Sequence, residues 1–83
     1  YVAGEESPEQ IKHRAERLEL PLEHVWVYPE CQVTELLATL QEVRPQVLIV
    51  DSIQSLYHPE LNSTPGGVSQ IRECAGVLLQ VAK

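Results

Sequence analysis

Apolar positions along this chain follow two rhythms. Tyr1-Val2-Ala3 and Val25-Trp26-Val27-Tyr28 are short runs of strand formers, and Val47-Leu48-Ile49-Val50-Asp51 is a third, four apolar residues in unbroken succession closed by a carboxylate. A run that continuous predicts a strand covered on both faces, as in a parallel sheet. Between these runs the spacing becomes helical. Ser7-Pro8-Glu9-Gln10 predicts a helix start, with Ser7 as N-cap, Pro8 at the first helical position and Gln10 closing a capping box. Ile11, Ala15 and Leu18 then give one apolar face, and Pro21 stops the helix. Val33, Leu36, Leu37, Leu40 and Val43 form a second stripe that ends before Pro45, and Val68, Ile71, Ala75, Leu78, Leu79 and Ala82 form a third. The intervening segment from His58 to Gly67 is rich in Pro, Gly and Ser and predicts a surface loop.

The order strand, helix, strand, helix, strand, loop, helix predicts an α/β fold: a parallel sheet of three strands with three flanking helices, joined by right-handed crossovers. Ligands of such sheets bind at the carboxyl edge. Asp51 ends one strand there, and Glu5 and Glu6 follow another. With the first strand between the other two, these carboxylates face one another and suit a divalent cation with phosphate, since Mg²⁺ takes one or two carboxylates and fills its shell with water and phosphate oxygens. The spacing alone equally fits a structural, capping aspartate. Trp26 and Tyr28 are expected to pack in the sheet, Arg14 and Arg17 to make solvated salt bridges, and the three histidines to lie at the surface. The strand ending in Asp51 is expected to keep an open edge.

Composition narrows the classes. A chain of 83 residues makes at most one domain with a small core. It opens within a strand pattern and stops within a helix pattern, so residues 1–83 are expected to be the central fragment of a larger domain. A hydrophobic content of 43% excludes a disordered tail, and the longest apolar run falls far short of the ~20 residues that span a bilayer. Cys31 and Cys74 stand far apart, with no C-x-x-C and no histidine at ligand spacing, which points away from a disulfide framework or a zinc site and toward a reducing, cytoplasmic setting. The net charge of −6 argues against a broad polyanion-binding surface. Nucleic acid contact must then be local, or assembled from several copies.

Several segments carry more than periodicity: Tyr1-Val2-Ala3-Gly4-Glu5-Glu6-Ser7, Gln10-Ile11, Arg14-Ala15-Glu16-Arg17-Leu18, Val50-Asp51-Ser52-Ile53-Gln54, Pro59-Glu60-Leu61, Pro65-Gly66-Gly67-Val68-Ser69-Gln70 and Arg72-Glu73-Cys74. Together they closely resemble the bacterial RadA (Sms) family of DNA repair proteins, which are RecA-like ATPases. The likeness runs from end to end and includes loop residues that no core requires.

What the resemblance implies is specific. The fold would be a partial RecA-like sheet, an incomplete P-loop NTPase core. The parent protein would be a DNA-dependent ATPase in recombinational repair, processing or branch-migrating recombination intermediates on single-stranded DNA. It would use ATP and Mg²⁺ and work as a homo-oligomeric ring, a hexamer by resemblance, with no membrane. Asp51 resembles the aspartate that holds Mg²⁺ through water, with Ser52 and Gln54 beside it at the nucleotide. Glu5 resembles the glutamate that polarises the attacking water, and Glu6 is the second choice. Gly66, Gly67, Ser69, Gln70 and Arg72 correspond to a DNA-binding loop, where glycine lets backbone approach a phosphate and a helix N-terminus favours an anion. Ala3 stands where the family usually has serine, and Cys31 where a better helix cap is common. The phosphate-cradling G-x-x-x-x-G-K-[ST] is absent, so these residues alone are not expected to hydrolyse ATP. The alternative is a receiver-type signalling module with Asp51 as phosphoacceptor and the acidic pair upstream; acetyl phosphate labelling of Asp51 distinguishes it.

Overall fold

The computed structural model describes residues 1–83. Its elements are β1 (Val2–Ala3), α1 (Pro8–Arg17), α2 (Val33–Val43), β2 (Val50–Asp51), a single 3-10 turn (Ile53–Ser55) and α3 (Val68–Ala82). The strands pair in parallel, with Val2 opposite Val50 and Ala3 opposite Asp51. The architecture is α/β with three helices and a two-stranded parallel sheet.

The third expected strand shrinks to one bridge. Tyr28 pairs in parallel with Val2, donating to the Tyr1 carbonyl at 2.9 Å and accepting from the Ala3 amide at 2.9 Å. The ladder does not continue past Pro29. Before it, Trp26 is 69% exposed and does not pack in the sheet as expected. The segment nonetheless sits on the far side of β1 from β2, so β1 runs between its two neighbours and β2 keeps an open outer edge.

The run before Asp51 is covered on one face only. Leu48 and Val50 are half-buried against a cluster of Val2, Val33, Leu36, Leu56 and Cys74, supplied mainly by α2 and α3. Val47 and Ile49 alternate to the other face and stay 74% and 52% exposed. An apolar strand reads as doubly covered in sequence, but α1 lies elsewhere: its buried Ile11 and Ala15 line a shallow cleft with Tyr1, Leu18 and Val25.

Helix ends follow local chemistry. Ser7 accepts the Gln10 amide at 3.2 Å, and the Gln10 side chain accepts the Ser7 amide at 2.9 Å, which is the expected capping box with Pro8 just inside. α1 ends at Arg17, ahead of Pro21, with Leu18 as C-cap. α2 begins after Gln32, not Cys31, and ends at Arg44 in the left-handed region, immediately before Pro45. No helix is long and apolar enough to cross a membrane. Replacing Ser7 with alanine orphans a helix-end donor and should cost about 1 kcal/mol in a denaturant titration. An unchanged midpoint would contradict that role.

α3 turns only part of the expected stripe inward: Ile71 and Leu78 are half-buried, and Leu78 packs against the core. Gln70 and Cys74 are buried and Val77 and Leu78 half-buried, whereas Val68 and Leu79 are 74% and 59% exposed and Ala75 and Ala82 are also open. Cys74 packs in the central cluster, and burial pushes its thiol pKa up. Both cysteines are free.

Candidate functional site

The carboxyl edge of the sheet gathers the expected acids. Ala3 lies opposite Asp51, and the next amide, that of Gly4, donates to the Asp51 carbonyl at 3.0 Å. Glu5 therefore leaves β1 at the same end at which Asp51 leaves β2. Gly4 is what allows so close an approach, since a β-carbon there would run into the side chain of Ser55.

The acids differ in their surroundings. Glu6 accepts from Arg14 Nη2 at 2.8 Å, and this pairing raises the pKa of the guanidinium. Asp51 is exposed and accepts a hydrogen bond from the Tyr1 hydroxyl on Oδ2 at 2.7 Å. That hydrogen bond, ahead of burial and charge, pushes the phenol pKa up, so Tyr1 stays a neutral donor. Glu5 is exposed and belongs to neither contact. Of the three acids, it is the one whose carboxylate has no side-chain partner.

Asp51 leads directly into the 3-10 turn. Ser52 is half-buried as the residue before that turn, its carbonyl accepting the Ser55 amide at 2.9 Å, while Gln54 is exposed on the turn. No group of three or more His, Cys, Asp or Glu side chains converges anywhere in the chain. The carboxylates at this edge, Asp51 and Glu5, are hard oxygen donors of the kind of which Mg²⁺ takes one or two, completing its shell with water and phosphate oxygens.

The loop expected to meet DNA follows the turn. Gly66 adopts φ +87°, a conformation other residues rarely hold, and its α-carbon faces the Gln54 carbonyl. Gly67 is the N-cap of α3, makes no side-chain cap, and donates its amide to the Thr64 carbonyl at 3.1 Å. Ser69 and Arg72 are exposed on the opening turns of α3. Gln70 departs from its expected role as a polar contact. It is 1% exposed, and its carboxamide binds the backbone of His58 and Ser63. An amide in α3 faces inward because the loop offers it backbone partners that no reading of spacing displays.

A cleft of about 620 Å³ opens away from this edge, between the end of α2 and α3, and is lined by Leu40, Leu48, Val50 and Leu78 among others. Its walls are mostly apolar and carry none of the acids named above.

No protein-family model matches the chain. Curated proteins named DNA repair protein RadA match all of it: that of Listeria monocytogenes at 42% identity over 83 residues, that of Synechocystis at 45% over 100 and that of Bacillus subtilis at 41% over 83. The chain spans about a fifth of the length of these relatives, 18% to 20%. Each match covers 100% of the chain, from β1 to α3, and the chain belongs to the RadA family.

Proposed function

We propose that these residues form the nucleotide edge and the adjoining DNA loop of a RecA-like, DNA-dependent ATPase acting in recombinational DNA repair. The observation that carries this reading is the parallel register of Ala3 with Asp51, which delivers Glu5 and Asp51 to one end of the sheet. The relatives' shared name, DNA repair protein RadA, supports the biological setting.

Each residue then has a task. Glu5 accepts the proton of the water that attacks the terminal phosphate. Asp51 would hold Mg²⁺ through water, and Tyr1 keeps that carboxylate in place through Oδ2. Glu6, tied to Arg14, braces the start of α1. Ser52 and Gln54 border the nucleotide and connect the edge to the loop. Bound Mg²⁺ would neutralise phosphate charge. The phosphate cradle is not among these residues, since no G-x-x-x-x-G-K-[ST] occurs in them, so this segment alone is inactive.

Gly66, Gly67, Ser69 and Arg72 contact single-stranded DNA in a cytoplasmic, homo-oligomeric ring, a hexamer. A ring supplies what a chain of net charge −6 lacks, several copies of a sparse basic contact. Arg72→Ala in a full-length protein carrying this segment should weaken binding to a single-stranded oligonucleotide and flatten its log affinity against log salt by about 0.7. An unaltered salt slope would remove Arg72 from the contact. The likeness to RadA proteins over the whole chain supports the ATPase reading rather than the phosphoacceptor alternative, and acetyl phosphate labelling of Asp51 would reverse that preference.

A further inference from the structure

Gln70 is the only polar residue among the buried set. A carboxamide withdrawn from water must find partners inside, and here all of them belong to one loop. Oε1 accepts the His58 amide at 2.7 Å, while Nε2 donates to the His58 carbonyl at 3.3 Å and to the Ser63 carbonyl at 3.0 Å. Both carboxamide atoms are used, and no buried side-chain polar atom is left without a partner.

The two-way grip on His58 copies the pairing of one peptide unit with another. It fixes the orientation of that residue, not merely its position. Just upstream, Tyr57 is anchored to the start of α2, donating to the Cys31 carbonyl at 3.0 Å and accepting the Val33 amide at 2.9 Å. Downstream, Ser63 is held to α3 by the same carboxamide that holds His58. The loop is thus tied to α2 before it begins and to α3 at both His58 and Ser63.

We propose that Gln70 is a positioning residue: its carboxamide holds the His58–Ser63 loop in one shape, so that single-stranded DNA meets a preformed surface instead of having to order one. The proposal rests on the reading of this loop as DNA-contacting. A preformed surface binds more tightly because its ordering cost is met before the ligand arrives. The shape is also joined to the nucleotide edge, because the tied segment follows Asp51 and the 3-10 turn without a break.

The test uses a full-length RadA-family protein carrying this segment. Gln70→Glu keeps size and one acceptor but removes both Nε2 donations and sets a carboxylate against two carbonyl oxygens. Hydrogen exchange in peptides covering His58–Ser63 should quicken at least tenfold, affinity for a single-stranded oligothymidylate should fall at least tenfold, and peptides of α2 should keep their exchange rates. Gln70→Met, of similar volume and without the hydrogen bonds, should give the same pattern, and it replaces the glutamate variant if that one does not fold. Unchanged loop exchange, equal quickening in α2, or a released loop with undiminished oligothymidylate affinity would each overturn the proposal. If the unsubstituted protein fails to bind oligothymidylate, the DNA reading itself is wrong, and loop exchange alone then decides whether Gln70 sets the loop.

Discussion

In a full-length protein carrying this segment, Glu5→Gln should lower ATP turnover by about 10²- to 10⁴-fold while nucleotide remains bound. Glutamine preserves the shape of the side chain but cannot take up a proton near neutral pH. The effect should be concentrated at Glu5 because Glu6 is engaged by Arg14 at 2.8 Å and Asp51 by Tyr1 at 2.7 Å. Glu6→Gln is therefore expected to reduce turnover far less. Steady-state phosphate release, read beside binding of a fluorescent ATP analogue, separates the two quantities. Turnover within threefold of the unsubstituted protein would take Glu5 out of the proposed role. Loss of nucleotide binding in parallel would assign it to binding instead.

Gly4→Ala should destabilise the protein by about 1–3 kcal/mol, the usual range for forcing an extra carbon into a packed site. The new β-carbon would overlap the Ser55 side chain at its β-carbon and hydroxyl, so one of the two segments must move. Ser55 sits on the 3-10 turn directly after β2, and Gly4 donates to the Asp51 carbonyl, so either displacement also shifts the acidic edge. Removing the obstacle should restore much of the loss. A double-mutant cycle of Gly4→Ala with Ser55→Gly, followed by denaturant midpoints, is expected to show favourable coupling. Strictly additive losses would mean that the close approach of β1 to the turn is not what demands glycine.

The parts of the fold legible in the sequence are those decided by neighbours along the chain. Ser7, Pro8 and Gln10 specify the start of α1 because capping is a matter of three or four consecutive residues. Pro45 and the stripe from Val33 to Val43 bound α2 for the same reason. What depended on distant partners was read less well. On α3 the expected stripe holds at Ile71 and Leu78 but not at Val68, Ala75, Leu79 and Ala82, because the buried face also takes in Gln70, whose partners are loop backbone groups. The stretch ending in Asp51 has the composition of a doubly covered strand, yet Val47 and Ile49 are bare because α1 lies over Tyr1 and Val25. Strand propensity puts Trp26 in the sheet, and its carbonyl does accept from the Tyr1 amino group at 2.8 Å, but its side chain finds no cover and stays 69% exposed.

At the candidate site, Glu5 and Asp51 could be placed at one edge from strand order alone, and the pairing of Ala3 with Asp51 agrees. The solvated salt bridge expected of Arg14 is present, with Glu6 as its partner. The Tyr1 phenol on Asp51 carries no such signal, since it joins residues at no characteristic spacing.

The pairing of β1 with β2 acts as a gauge for the chemistry beyond it. Val2 donates to the Ile49 carbonyl at 2.7 Å and Gly4 to the Asp51 carbonyl at 3.0 Å, so the separation of the two acids is metered by backbone bonds on either side of Ala3, which is 3% exposed. Sliding β2 by a single residue would offer Val50 or Ser52 in place of Asp51 and turn every side chain of that run over. The oily interior beneath α2 and α3 thus does more than hold the molecule together: it calibrates where Glu5 and Asp51 leave the sheet, and errors introduced deep in it would surface as a displaced acidic edge.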